Sequence, residues 1–182
     1  MKKYLLILSA LLVGAMSYAV LSGGQQRDPR PQQERREVRE KRRAERLARY
    51  EKFMDSLVLS RNFQFNPQTM QQMPSGAMRI INNPNYMVGY WDGTVDICLP
   101  YVKGYVPPYR LSLINYTVPG VDGYTAEQTA EGWTVSFNTS LFSASTYTFT
   151  LEISGKMGGA TLTITNPWYN AVQYTGTITQ LY

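Results

Sequence analysis

The residue types that most often carry chemistry are scarce in this chain of 182 amino acids. It contains no histidine, which is the commonest general base and a frequent metal ligand. Cys98 is the single cysteine, so the chain can form neither an internal disulfide nor a thiolate metal cluster. Cys98 also alternates with Ile97 and Leu99 in a strand-like pattern, which favours a packed small residue over a nucleophile. We therefore expect no metal and no cofactor.

Two nearby carboxylates, Asp92 and Asp96, are the next candidates for chemistry. Asp92 precedes Gly93, and this dipeptide is a strong signal for a tight hairpin turn, which explains the aspartate without a catalytic role. Asp96 lies beside the apolar face of the same predicted hairpin. Because no carboxylate pair is evident, we predict that the protein is not an enzyme and has no catalytic residues.

Aromatic residues in predicted loops are the remaining candidates for a functional site. Rigid aromatic faces in loops can stack on sugar rings, peptides or lipid headgroups. The alternative is that these rings fold back over the core of a small β domain. The residues concerned surround a Pro-Pro pair or lie in the segment from Asn166 to Asn170. The candidate ligand contacts are Tyr101, Tyr105, Tyr109, Trp168 and Tyr169.

The first nineteen residues have the pattern of a secretory signal peptide. Lys2 and Lys3 precede an apolar run from Tyr4 to Val13, and Ser17 and Ala19 are small residues at the −3 and −1 cleavage positions. An uncleaved anchor is the rival interpretation, but the run is shorter than the roughly 20 apolar residues that a membrane span needs. We expect a periplasmic or secreted protein with no transmembrane span after cleavage.

The positive charge of the chain is regional. Residues 25–61 hold 12 Lys and Arg against 7 Asp and Glu, whereas residues 62–182 hold 4 against 6. Within the basic region, Glu37 and Lys41 are spaced for a favourable i,i+4 pair on an exposed helix. An exported protein does not normally meet chromosomes or ribosomes, so we predict no nucleic-acid partner.

The elements that precede the sheet follow from composition and periodicity. The stretch from Gly23 to Gln33 is polar and contains Pro29 and Pro31, which predicts a disordered leader over residues 20–31. Residues 32–59 contain no proline or glycine, which predicts a charged amphipathic helix. Its apolar stripe covers only the second half, so we expect the first half to be solvated and the second to dock. The docking residues are Leu47, Tyr50, Met54, Leu57 and Val58.

From Ala77 onwards the apolar residues recur with period two, as in Trp133, Val135 and Phe137. One buried and one threonine-rich face is typical of antiparallel strands. Pairing across the turns keeps apolar residues opposite apolar residues. The expected pairs are Tyr90/Val95, Val88/Ile97, Tyr86/Leu99, Gly89/Asp96, Met87/Cys98, Phe137/Tyr147, Ile153/Ala160, Leu151/Leu162, Leu162/Tyr174 and Ala160/Gly176.

Residues 62–182 are thus predicted to be a mainly β domain of about eight short antiparallel strands. The expected architecture is a β-sandwich or a partly closed barrel with one N-terminal helix, and the helix belongs to the same domain. The predicted strands include Met78 to Asn82, Arg110 to Tyr116 and Tyr124 to Thr129. The small pair Ala160/Gly176 leaves a gap that is either filled by a large neighbour such as Trp133 or open as a small apolar pocket.

Four sequence features resemble a family of small secreted proteins from Bacteroides-type bacteria, a domain of unknown function. They are the helix end Leu57 to Phe65, Leu99 to Gly104 after the Asp-Gly hairpin, Gly159 to Asn166, and Val172 to Ile178. The resemblance covers roughly Ala44 to Tyr182 and implies a Gram-negative periplasm, with no activity or site residue to carry over. The function hypothesis is a non-catalytic binding module for an unknown envelope ligand or protein. The alternative is a structural or interaction protein that docks a partner through its charged helix.

Overall fold

The computed structural model describes residues 30–104, 110–142, 145–156 and 158–181. Contacts between residues divide the chain into two units, Met1–Ala44 and Glu45–Tyr182. The described part of the first unit is helical. The second unit contains the end of the helix and all the described strands.

The helix, α1, runs from Arg30 to Leu59, where the sequence predicts a helix over 32–59. Side chains 32–46 are exposed. In the second unit, Met54, Leu57 and Val58 are buried, and Leu47 and Tyr50 are half-buried. The part of the helix in the second unit thus packs through the residues that the sequence predicts. The helix ends where Arg61 adopts a left-handed φ of 53°, and its N–H donates to the carbonyl of Val58 at 3.1 Å.

Ten strands follow the helix in the described residues, two more than the sequence predicts. All their pairings are antiparallel, and they form one sheet that is not closed into a barrel. The path of neighbours is β5-β4-β3-β1-β10-β9-β8-β7-β6, with β2 paired to β1 off this path. The strands are β1 Asn62–Gln72, β2 Arg79–Ile80, β3 Met87–Trp91, β4 Thr94–Lys103, β5 Arg110–Pro119, β6 Asp122–Thr129, β7 Gly132–Leu141, β8 Ser145–Ser154, β9 Gly159–Asn166 and β10 Tyr169–Gln180.

The sheet curls so that one face becomes the core. Its two edge strands, β5 and β6, are consecutive in the chain and are joined only by Gly120 and Val121. The end of β5 therefore lies close to the start of β6, although the two strands are at opposite edges of the sheet. Rings from distant strands meet inside: Tyr90 of β3 lies 4.7 Å from Tyr124 of β6, measured between ring centroids. The Tyr174 hydroxyl of β10 donates to the carbonyl of Pro100 in β4 at 2.6 Å. Burial of aromatic and aliphatic side chains on this face is the main stabilising contribution.

Most of the predicted register is confirmed. The Asp92-Gly93 hairpin forms, and eight of the ten expected pairs are present, including Leu162/Tyr174 and Ala160/Gly176. The expected pair Phe137/Tyr147 is wrong, because Phe137 faces Phe149 while Tyr147 faces Thr139. A shift of two residues keeps both rings on the buried face, so alternation alone could not detect it. Tyr86 precedes β3, so its expected pair with Leu99 does not form.

Sequence periodicity missed β1, although this strand lies in the middle of the sheet between β3 and β10. Phe63 and Phe65 alternate correctly and are buried. Pro67 then interrupts the pattern, and the register against β10 shifts between Pro67 and Thr69. Proline is rare inside central strands but is tolerated at a β-bulge such as this one. The presence of Pro67 therefore hides the strand from a search for regular alternation.

The small pair Ala160/Gly176 lies next to this bulge. Pro67 is the partner of Gly176 on β1, and a Cβ added at Gly176 would collide with the backbone carbonyl of Asn66. Glycine is therefore required by close approach of the neighbouring strand. Trp133 lies in the same row of residues across the sheet: it pairs with Ile153, which in turn pairs with Ala160.

Candidate binding surface

The hairpin between β9 and β10 presents the most exposed tryptophan of the described residues. Asn166 pairs with Tyr169, which leaves Pro167 and Trp168 as the two turn residues. The Trp168 side chain is 66% exposed, whereas Trp133 is buried and Trp91 half-buried. The turn has two residues, fewer than the five-residue loop that the sequence suggested.

Asn166 holds the backbone of this turn. Its Oδ1 accepts a hydrogen bond from the Trp168 N–H at 2.8 Å, and its Nδ2 donates to the carbonyl of Thr146 at 3.0 Å. The first bond is an Asx-type turn contact, and the second ties the hairpin tip to β8. Because Asn166 is 8% exposed, both bonds are shielded from water. The exposed indole therefore projects from a fixed backbone.

Behind Trp168 lies a group of tyrosines on the inner face of the sheet, here called the phenol group: Tyr101, Tyr147, Tyr169 and Tyr174. The rings of Tyr101 and Tyr147 meet edge to face with centroids 6.0 Å apart. Tyr169 is half-buried and pairs with the buried Asn166, which places it on this inner side. The Tyr101 hydroxyl is buried and has no hydrogen-bond partner among the described residues.

Burial controls the ionisation of these phenols. It raises the pKa of Tyr147 to about 12, with smaller contributions from the charges that Tyr169 and Tyr116 would carry. Burial also raises the pKa of Tyr101 and of Tyr174 well above the ordinary value of 10.0. Tyr101, Tyr147 and Tyr174 are therefore neutral at physiological pH.

A cationic contact borders the phenol group. The Nζ of Lys103 lies 3.4 Å from the centroid of the Phe142 ring, and that ring packs edge to face on Tyr116 at 5.3 Å. Phe142 also approaches Tyr147, with centroids 6.0 Å apart. Lysine over an aromatic face is a favourable cation–π arrangement. This end of the sheet thus combines an exposed indole, buried phenols and one ammonium group.

The five contact residues that the sequence predicts do not lie together in one surface. Trp168 and Tyr169 lie together at the hairpin tip, as their sequence proximity requires. Tyr101 is not a loop residue: it lies in β4, is fully buried, and contributes to the core. It nevertheless lies near enough to Tyr169 that, besides burial, the charge of that residue raises the pKa of Tyr101. Tyr105 and Tyr109 lie outside the described residues. Alternation placed Tyr147 and Tyr174 on the buried faces of their strands, but it gives no signal that the curled sheet would bring them to Tyr101.

Two depressions lie at the opposite end of β9 from Trp168. The larger, about 840 Å³, borders Ala160, Gly176 and Trp133, and Glu131 and Glu152 also line it. The smaller, about 220 Å³, lies between the helix and the turns of β6–β7 and β8–β9. The carboxylates at their rims, Glu51, Glu131 and Glu152, are exposed. Within the described residues, no group of three acidic or cysteine side chains is placed to hold a metal ion.

A third feature lies where the helix joins the sheet. The Arg61 guanidinium sits 4.6 Å from the centroid of the Tyr124 ring, and a depression of about 520 Å³ borders Arg61, Asn62 and Trp91. Asn62 Oδ1 and the Tyr124 hydroxyl are buried without partners among the described residues. The left-handed φ of Arg61 is explained by the helix C-terminus, so it does not by itself indicate a site.

Comparisons with known proteins concern the sheet and the end of the helix. No curated protein matches the chain. One similar solved structure is the crystal structure of a DUF4251 family protein from Bacteroides eggerthii. It is 13% identical, with a TM-score of 0.56 over 72% of this chain and 87% of that chain, which is a likeness of fold. The model of the domain of unknown function DUF4251 matches residues 45–178, close to the span over which the sequence resemblance was expected. The chain therefore belongs to the DUF4251 family of Bacteroides-type bacteria.

Proposed function

We propose that the protein is an exported, non-catalytic binding module of the cell envelope, and that Trp168 stacks on the flat face of its ligand. The observation that carries this proposal is the 66% exposure of an indole on a backbone fixed by the buried Asn166. Exposing a tryptophan forgoes the stabilisation that its burial would give. A fixed orientation lowers the entropic cost of stacking when a ligand arrives.

The chemistry around Trp168 favours a ligand with both an apolar face and hydroxyl or carbonyl oxygens, such as a sugar ring of an envelope glycan. The indole offers the stacking surface, and the hydroxyl of the half-buried Tyr169 beside it offers a hydrogen-bond donor. Tyr169 connects the exposed indole to the phenol group, because it follows Trp168 in the chain and is itself the half-buried member of that group. Aromatic platforms with a few polar groups are typical of ligand sites that need orientation as well as affinity.

A binding role is preferred to catalysis because of where the carboxylates beside the depressions lie. The carboxylates at the rims of the depressions, Glu51, Glu131 and Glu152, are exposed. General acids and nucleophiles need a neighbouring group that activates them in a shielded position. Asp55 is engaged by the Trp133 indole, which donates to its Oδ1 at 2.8 Å.

The binding proposal is tested by titrating the protein with a panel of envelope glycan fragments in a calorimeter. Trp168→Ala should weaken binding of the positive ligand about 5- to 150-fold, and Trp168→Phe should recover part of the loss, since stacking contributes on the order of 1–3 kcal/mol. Phe53→Ala is the matched control, because Phe53 is an exposed aromatic residue on the helix at 44% exposure. Equal affinities for wild type and Trp168→Ala would refute the proposal.

Export is supported by the predicted signal peptide of residues 1–19, which lies outside the described residues. The described helix is not long and apolar enough to cross a membrane. N-terminal sequencing of the protein recovered from the cell envelope should give a mature chain that begins near Val20. Recovery of a chain that still begins at Met1 would contradict cleavage.

A second candidate function is docking of a partner through the charged helix. The observation that favours it is the exposure of every side chain from 32 to 46 in a regular helix. A solvated helix gains little from tertiary packing, so its own residues must support it. Such a segment offers an accessible charged surface to a partner.

A further inference from the structure

The first unit contains a helical segment, residues 34–43, whose side chains are all exposed. Nine of its ten residues are charged, and Val38 is the exception. The two signs are not mixed around the helix. An α-helix turns by about 100° per residue, so positions separated by three or four residues share a face.

On this helical geometry all five arginines fall within an arc of about 120°. Arg35, Arg39 and Arg42 follow one another at spacings of four and three, and Arg36 and Arg43 flank them on one side. The three glutamates of the segment occupy the opposite arc, together with its one lysine. We call the arc formed by these five residues the arginine face: Arg35, Arg36, Arg39, Arg42 and Arg43.

We propose that the arginine face binds the headgroup phosphates of an anionic phospholipid surface. Guanidinium groups form paired hydrogen bonds with phosphate oxygens, which the point charge of a lysine ammonium does not. Arginines at intervals of three and four residues advance by about 4.5–6 Å along the axis, so one helix face can engage several phosphates at once. The opposite arc directs Glu34, Glu37 and Glu40 away from the bound surface.

The composition of the segment also defines the mode of binding. Helices that insert into the headgroup region carry a broad apolar face opposite their charged face. Here the only apolar residue between 32 and 43 is Val38, which is 48% exposed. The helix therefore adsorbs by electrostatic attraction, which strengthens binding about 5-fold for each basic residue close to the surface. Adsorption of this kind is reversible and sensitive to salt.

A membrane is favoured over nucleic acid, which also carries phosphates, because of the apolar run from Tyr4 to Val13. That run has the features that direct a chain into the export pathway, so the mature helix emerges beside a bilayer. This inference therefore rests on the export part of the proposed function. It is independent of Trp168.

The test is co-sedimentation of the mature protein with vesicles of phosphatidylglycerol and phosphatidylcholine, compared with phosphatidylcholine alone. Replacing Arg35, Arg39 and Arg42 by glutamine should weaken binding to the anionic vesicles on the order of 100-fold. A rebalanced variant adds Glu34→Gln, Glu37→Gln and Glu40→Gln. It removes three positive and three negative charges, so its net charge equals that of the wild type. If the arginine face acts as a unit, the rebalanced variant binds as poorly as the triple-arginine variant.

Circular dichroism of both variants checks that the helix persists, and Trp168→Ala should bind the anionic vesicles like the wild type. Binding should fall sharply between 0.1 and 0.5 M salt, concentrations over which the screening length shortens from about 10 Å to roughly 4 Å. Equal binding to both vesicle types, wild-type binding by the rebalanced variant, or tighter binding to a duplex DNA oligonucleotide than to the vesicles would overturn the proposal. A loss in Trp168→Ala equal to that of the arginine variant would also overturn it, because it would assign the vesicle contact to the hairpin.

Discussion

The indole Nε1 of Trp133 donates a hydrogen bond of 2.8 Å to Oδ1 of Asp55, and this bond joins β7 to the last part of α1. Trp133 is buried and Asp55 half-buried, so loss of the carboxylate leaves a shielded N–H without its partner. Asp55→Ala should lower the free energy of unfolding by about 1.5–3 kcal/mol. Urea unfolding followed by tryptophan fluorescence measures this, with Ser56→Ala as the exposed neighbouring control. A cost no larger than that of the control would show that the bond contributes nothing to docking.

The two halves of the helix should differ in their effect on stability. Leu57 is 3% exposed, and truncation to alanine should cost about 2–5 kcal/mol through lost transfer energy and the cavity left behind. Removal of residues 20–42 should change the melting temperature little, because the described side chains in this range, from 32 onwards, are exposed. Differential scanning calorimetry of both variants decides the point. Comparable losses would mean that the first half also packs.

Gly176 should not tolerate a side chain. A Cβ at this position would meet the carbonyl oxygen of Asn66, which belongs to the neighbouring strand and cannot move without breaking the ladder. Gly176→Ala should therefore destabilise the fold by about 1–3 kcal/mol, the usual range for overpacking. Gly159→Ala is the matched control on the adjacent strand, since an added Cβ there has no atom within 4 Å. Chemical denaturation should separate the two, and equal stabilities would disprove the close approach.

The phenol group should make the protein sensitive to strong alkali. The folded-state pKa of Tyr147 is raised to about 12 from the ordinary value of 10.0. A raised folded pKa means that the stabilising contribution is complete below pH 10 and is lost as the pH rises through 12. Ultraviolet titration at the phenolate band should show a set of tyrosines that ionise only as the sheet unfolds. Removing the group with Tyr101→Phe and Tyr147→Phe should leave less alkaline destabilisation. Ionisation of all tyrosines near pH 10 without unfolding would contradict the assignment.

The sheet register could be predicted wherever alternation and a turn signal agreed. The Asp92-Gly93 dipeptide fixed β3 against β4, and the buried face of β9 fixed Leu162 against Tyr174. The register could not be predicted where the chain departs from regular pairing. Pro67 hid the central strand β1, and the two-residue ambiguity between Phe137/Tyr147 and Phe137/Phe149 is invisible to a pattern of period two.

The candidate binding surface could be predicted only in part. Trp168 lies in a predicted turn segment and Tyr169 follows it, so the exposure of Trp168 was foreseeable from local chemistry. The position of Tyr101 was not, because the strand β4 extends to Lys103 and carries the ring into the core. Nothing local brings Tyr101 to Tyr147, which lies on β8: their contact depends on the curl of the whole sheet.

Nuclear magnetic resonance of the indole N–H groups shows whether Trp168 contacts the ligand. The chain has three tryptophans, so three indole signals are expected, and Trp168→Phe identifies the one that belongs to residue 168. During titration with a glycan fragment that binds in the calorimeter, the Trp168 signal should shift in proportion to saturation. The signal of Trp133, which is buried and bonded to Asp55, should stay in place. Saturation of the protein with an unshifted Trp168 signal would contradict the account.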